Sequence, residues 1–349
     1  MKRREFLGAM AAMPLVMRSV PAAGSASRTF EVTTRIELDE SHDAGMAWVP
    51  LPLARTSPYQ VDRGHTIGGN ADNTRVATLP GTNTSILIAE WGHMMPPPAL
   101  SVTMRVETTN YAVAITKPNG AKWTDDLGVY LRPTRLIPLD GIVKTTADQI
   151  TRGKTTDLAK ARAIYDWIVE NTVRDPEVKG CGLGDIRGML EMKTLSGKCA
   201  DLNALFVGLA RASGLPARDL YGLRVAPSEQ FPSLGRADGD VTTAQHCRAE
   251  VWADGYGWIP VDPADVRKLI LEEKKPSLTD PYVVKVREAL FGSWEMNWIA
   301  FNDAHDVALP GSDGKPLPFL MYPQAEVGGE RRDSLDPAHF KYTITARQV

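Results

Sequence analysis

The run Ser196-Gly197-Lys198-Cys199-Ala200-Asp201-Leu202-Asn203-Ala204-Leu205-Phe206 decides how this chain is read. A small-residue turn leads to a cysteine, and the cysteine opens a helix. Leu202, Leu205, Phe206 and Leu209 recur at helical spacing and send one face to a core. Gly214 and then Pro216 end the helix. A cysteine at a helix N-terminus sits at the positive end of the macrodipole, beside unpaired backbone N–H groups. Both favour the thiolate, which is the nucleophilic form. The same N–H groups suit an oxyanion that develops beside the sulfur.

A nucleophilic cysteine needs a base, and the base needs an orienting partner. Both are found in Gln245-His246-Cys247-Arg248-Ala249-Glu250-Val251-Trp252-Ala253-Asp254-Gly255-Tyr256-Gly257-Trp258-Ile259-Pro260-Val261-Asp262-Pro263. Two β-rich runs flank the turn residues Asp254-Gly255-Tyr256-Gly257, which predicts a hairpin. On the first strand His246, Arg248, Glu250 and Trp252 share a face, and Cys247, Ala249, Val251 and Ala253 share the other. Trp258, Pro260 and Asp262 share a face of the second. Pairing Trp252 with Tyr256 across a three-residue turn places His246 opposite Asp262. Asp262 can then hold one imidazole nitrogen while the other faces Cys199.

These segments, with Gly214-Leu215-Pro216-Ala217-Arg218, resemble the bacterial transglutaminase-like superfamily, which has a Cys-His-Asp core on a papain-like layout. The resemblance covers roughly residues 155–265. It implies Cys199 as nucleophile, His246 as base and Asp262 as orienter. It also implies a chemistry of amide bonds, because members include amide hydrolases, cross-linkers and proteins with no known substrate. The sequence departs from the pattern at Cys247, a second thiol where members often carry a bulky residue.

The remaining chain frames that core. With 349 residues, 43% hydrophobic and 23% charged, it can build two modest domains. A net charge of −2 gives no reason to expect a nucleic-acid partner. The three cysteines, Cys181, Cys199 and Cys247, form neither a disulfide framework nor a CxxC zinc motif. No cofactor and no metal is expected. His246 and Cys247 are adjacent on a strand and point to opposite faces, so with Cys199 they do not make a natural metal site.

The predicted fold class is α+β: an N-terminal β-sandwich-like domain, then a transglutaminase-like (papain-like) catalytic domain with a C-terminal extension. Residues 1–26 read as a signal peptide. Lys2-Arg3-Arg4-Glu5-Phe6-Leu7 precedes a short apolar stretch and a small-residue exit, and the Arg-Arg pair is similar to a twin-arginine signal. The expected location is periplasmic or secreted, with no integral membrane segment in the mature chain. Residues 28–117 alternate with period two, as in Phe30, Val32, Thr34, Ile36 and Leu38, and predict the sandwich. Residues 118–150 are a connector, 151–284 the catalytic core, and 285–349 an extension packed on that core.

Other candidates carry less weight. His42, His65 and His93 lie among polar loops with no ligand spacing. Gly180-Cys181-Gly182-Leu183-Gly184 lacks the context of a phosphate loop and reads as a loop approaching the cleft. His305, between Asp303 and Asp306, has no partner nucleophile. Cys247 reads as structural, and Arg218, Arg248 and Glu250 as salt bridges at the cleft edge. Asp201 is a first-turn acid favouring the dipole, weakly opposed to the thiolate if solvated. Cys199 N–H is one oxyanion donor; Lys198 and Asn203 are candidates for the second. Two readings of function follow. The first is an exported cysteine enzyme acting on peptide or protein amides, as hydrolase or acyl transferase. The alternative is a transglutaminase-fold envelope binding protein with an unused triad.

Overall fold

A computed structural model describes residues 27–349 except 40, 238 and 276; the signal-like segment lies outside the described residues. Its fold is α+β. Six α-helices are described: α1 Gly141–Ile150, α2 Asp157–Asn171, α3 Ile186–Glu191, α4 Cys199–Ala212, α5 Pro263–Glu272 and α6 Pro281–Ala289. None is long and apolar enough to cross a membrane.

The N-terminal strands form two five-stranded antiparallel sheets packed face to face. Strand Arg28–Glu37 shows why: Phe30, Val32, Thr34 and Ile36 are buried, while Arg35 and Glu37 are exposed. Val102, Met104 and Val106 on the neighbouring strand meet them in the same core.

A further, smaller sheet has four strands in the order 257–261, 245–253, 217–224, 298–302. α4 lies against it, with α1, α2 and α5 on its other sides. The stripe predicted for α4 is therefore an underestimate, since every residue from Cys199 to Ala212 is buried. A helix surrounded by packed elements has no solvent face.

Two expectations of domain organisation change. α1 falls in the segment read as a connector, yet it packs on α2, α3 and α4 as part of the helical unit around α4. The C-terminal region divides. Strand Trp298–Asn302 pairs with 217–224 in the four-stranded sheet. Gln324–Val327 and Lys341–Gln348 instead complete the two sandwich sheets, with Val32 opposite Ala346 and Ala47 opposite Ala325. Without these strands, Arg28–Glu37 and Gly45–Pro50 would each present an open edge. Leu223, Ile299 and Phe301 of the four-stranded sheet, with Val225 just beyond its strand, join the sandwich core, so the two units share apolar packing.

Candidate active site

α4 begins at Cys199, as the Ser196-Gly197 turn predicts, with Lys198 as N-cap. The helix start is held by Asp201. Its carboxylate accepts from Lys198 N–H at 3.0 Å, and from Leu183 and Gly184 N–H at 2.9 Å each. Asp201 is thus a buried anchor and not a solvated first-turn acid; burial raises its pKa against these hydrogen bonds. The Gly180–Gly184 loop is wrapped round it. Gly182 has φ +94 and a Cβ there would lie 1.8 Å from the Asp201 carboxylate, so only glycine fits. The wrap brings Cys181 beside Cys199, where Ala200 N–H binds the Cys181 carbonyl at 2.9 Å.

The hairpin forms with a shifted register. Its pairs are Ala253 with Gly257 and Trp252 with Trp258, so the turn is residues 254–256 and lies one residue later than predicted. Gly255, at φ +81, supplies the left-handed conformation at its centre. The pairing moves by two, which keeps every face assignment and sets Asp262 diagonal to His246. The strand ends at Val261, and Asp262 becomes the N-cap of α5, its Oδ1 accepting Asp265 N–H at 3.1 Å. Asp262 Oδ2 binds His246 Nε2 at 2.7 Å with both side chains buried. This leaves Nδ1 for the thiol. Cys199 and His246 line the same cleft, of about 640 Å³.

The charges divide in a useful way. Hydrogen bonds from Cys181 and Cys247 outweigh burial and, with His246, hold the Cys199 pKa well below the usual thiol range. The Cys181 thiol is pushed up by its hydrogen bond to Cys199 and by burial, and Cys247 chiefly by burial. The Cys181 thiol also reaches Gln245 O at 3.3 Å, and the opposite directions of these shifts favour the negative charge on Cys199 over its two neighbours. Burial and Arg224 oppose a charged His246 ring, but Asp265 and Asp262 outweigh them and its pKa is raised. Both directions favour a charged sulfur beside a charged ring, with carboxylates behind the ring.

Three residues around this pair were missed or misassigned in the sequence. Asn203, one turn after Cys199, donates to Cys247 O at 2.8 Å and to Asp262 Oδ1 at 3.3 Å. Both hydrogens of its amide are committed to Cys247 O and Asp262 and are unavailable to an oxyanion; its i+4 spacing from Cys199 was the legible signal. Asp265 lies 3.5 Å from His246 Nε2 and is neutralised by Arg224, whose Nη2 meets both carboxylate oxygens at 2.6 and 2.8 Å. His246, Asp262 and Asp265 have the donor types of a metal site, but these hydrogen bonds and the guanidinium already employ them. Two further donors line the cleft without an oxygen or nitrogen acceptor, Gln245 Nε2 and the Tyr322 hydroxyl.

The remaining candidates lie elsewhere. Arg248 stands behind Asp262 at 3.9 Å. Arg218 and Glu250 form a buried pair at 2.6 Å that lines a separate cleft with Tyr130 and Trp258. His305 faces the buried Asp219 at 3.4 Å, and burial lowers its pKa to about 3, so it is a neutral packed ring. His42 and His93 are exposed.

The helix-borne cysteine, the strand-borne histidine and the aspartate in this order coincide with a family match: the model described as the transglutaminase-like superfamily covers residues 144–263. An uncharacterised protein of Haemophilus influenzae is 38% identical over 319 residues, spanning 86% of each chain. The chain belongs to the transglutaminase-like superfamily. The crystal structure of a candidate cysteine protease from Cytophaga hutchinsonii matches with a TM-score of 0.58 at 15% identity, over 93% of this chain and 92% of that one. At that identity the likeness is one of fold, and it extends over the sandwich as well as the superfamily core.

Proposed function

We propose that this transglutaminase-like protein is an exported, cysteine-dependent enzyme of peptide or protein amide bonds. The observation that carries the reading is His246, held by Asp262 at 2.7 Å and sharing a cleft with a thiol whose pKa is depressed. In this mechanism Cys199 thiolate attacks the amide carbonyl, and the oxyanion forms beside Cys199 N–H at the start of α4. His246 Nδ1–H protonates the leaving amine, and an acyl-enzyme remains. His246 then takes a proton from the acceptor as it attacks the thioester, and Cys199 is released. Water as acceptor gives hydrolysis, and an amine gives transamidation. Asp262 fixes the ring so that Nδ1 points at sulfur throughout. The twin-arginine-like segment at residues 1–26 supports the assignment to the periplasm or exterior.

Activity profiling against a peptide and isopeptide library, with Cys199→Ala as the blank, tests this. Turnover lost in Cys199→Ala and in His246→Ala is the expected result. A library signal that persists in both folded variants would refute it, as would a wild-type Cys199 inert to thiol-directed acyl probes.

A further inference from the structure

The walls of the Cys199 cleft carry a strong excess of positive charge. Arg174, Lys179, Lys198, Arg224, Arg236 and Lys268 line it, and among the described residues Glu272 is the one carboxylate that does. The chain as a whole is almost balanced, with 40 Lys and Arg against 42 Asp and Glu. The excess is therefore concentrated at this cleft. Part of it is neutralised from behind: Arg224 by Asp265 at 2.6 Å, Lys179 by Asp333 at 2.6 Å. Glu272 serves Lys268 at 2.7 Å and reaches Arg174 only at 4.0 Å, so one carboxylate answers two cations.

Lys198 has no ion-pair partner among the described residues, and it is the residue directly before the nucleophile. Its ammonium adds to the positive end of α4, where anionic groups bind. The triad uses none of Arg174, Lys179, Lys198, Arg236 or Lys268. The facing wall is different in kind. It is built by the C-terminal segment from Tyr322, Leu335, Pro337, Phe340 and Tyr342.

We propose that the cleft is specific for acidic peptides: acyl donors with carboxylates flanking the scissile amide, which Lys198 and its cationic neighbours bind while the rest of the chain packs on the Tyr322–Tyr342 wall. This rests on the reading of Cys199 as nucleophile. A cleft of one sign raises the local concentration of an oppositely charged ligand, and salt weakens the effect.

The test uses three probes with one warhead: bromoacetyl-Gly-Glu-Glu-amide, its Gln-Gln isostere and its Lys-Lys counterpart. Cys199 thiolate displaces bromide, so a C–S bond forms, a C–Br bond breaks and bromide leaves. Second-order rates are read by intact mass on the full chain, with peptide mapping to place the adduct. The Glu probe should modify Cys199 at least about tenfold faster than the Gln probe at low salt, and the Lys probe slowest. The Glu-to-Gln ratio should fall with added salt and in Lys198→Gln. Lys160→Gln should leave it alone, because Lys160 Nζ bonds Ser213 O at the far end of α4. Equal rates for all three probes would overturn the acidic preference while Cys199 stands as a nucleophile. A ratio indifferent both to salt and to Lys198→Gln would overturn it too, since the His246 imidazolium alone would then account for it. No adduct at Cys199 with any probe would refute the nucleophile and the specificity together.

Discussion

Replacing Arg224 by methionine tests whether the second carboxylate beside His246 is held away from the ring by its ion pair. Arg224 and Asp265 side chains are 5% and 2% exposed and share two hydrogen bonds, at 2.6 and 2.8 Å. The pair pulls Asp265 well below the usual carboxylate range despite burial. Removing the cation strands a buried anion, which costs about 3–5 kcal/mol of stability. In the variant the Asp265 pKa rises above its unfolded value. The stability deficit should then widen as pH rises through the ordinary carboxylate range and shrink in acid, where Asp265 is protonated in both states. Arg224→Met/Asp265→Asn removes both charges and should recover more than half of the loss. Arg224 also opposes the charge on His246, while Asp265 favours it. The single variant should therefore move the alkaline limb of Cys199 alkylation upward. Urea unfolding from about pH 4 to 8 and iodoacetamide kinetics against pH give the readouts. A single variant as stable as wild type, a double variant no better than the single, or a limb that moves down would each refute the reasoning.

Two further outcomes follow from the same network. The rate of Cys199 alkylation should form a broad plateau, rising in acid as the thiol ionises well below its usual range and changing again above the ordinary imidazole range as His246 loses its proton; the stability contributed by His246 is complete below its unfolded pKa and lost as pH rises through the folded one, whereas that of Cys199 is present above its unfolded pKa and lost as pH falls through the folded one. Asp262→Ala should cut turnover by roughly ten- to ten-thousand-fold, less than Cys199→Ala and with little change in KM, because Asp262 orients the ring and does not meet substrate; steady-state kinetics on one amide, with folding checked by circular dichroism, decides, and a full rate would reduce Asp262 to a helix cap.

What could be read from the sequence was local. The turn, the cysteine and the apolar repeat of α4 are contiguous, and so are the two arms of the hairpin, so their order and faces were visible. The hairpin register was missed by two because glycine stands at both 255 and 257, and both take positive φ; composition alone does not say which one centres the turn. Asn203 was visible at i+4 but given the wrong task, since its acceptors come from a strand 44 residues later and from Asp262, 59 residues on. Arg224 and Asp265 are 41 residues apart, and neither carries a local pattern that names the other. The strand period at Phe340–Thr345 was legible, but its partner Arg28–Glu37 stands at the opposite end of the chain. Such pairing is fixed by the packed core and not by the strand itself.

That long-range pairing explains why a sandwich with no assigned catalytic residue belongs to the site. Strand Lys341–Gln348 is locked between Arg28–Glu37 and Gly239–Asp240. The segment entering it places Phe340 and Tyr342 on the cleft, with the Tyr342 hydroxyl tied to Ser334 O at 3.0 Å. Leu335 and Tyr322 in turn press on the loop that carries Cys181: a Cβ at Gly180 would lie 2.6 Å from Leu335 and 2.9 Å from the Tyr322 hydroxyl. The chain of contacts thus runs from sandwich sheet to C-terminal strand, to cleft wall, to the Gly180–Gly184 loop, and through Asp201 to the start of α4. The environment of Cys199 is set by helix, hairpin and loop, but one wall of its cleft is positioned by the sandwich, and the two units share a core instead of a flexible junction.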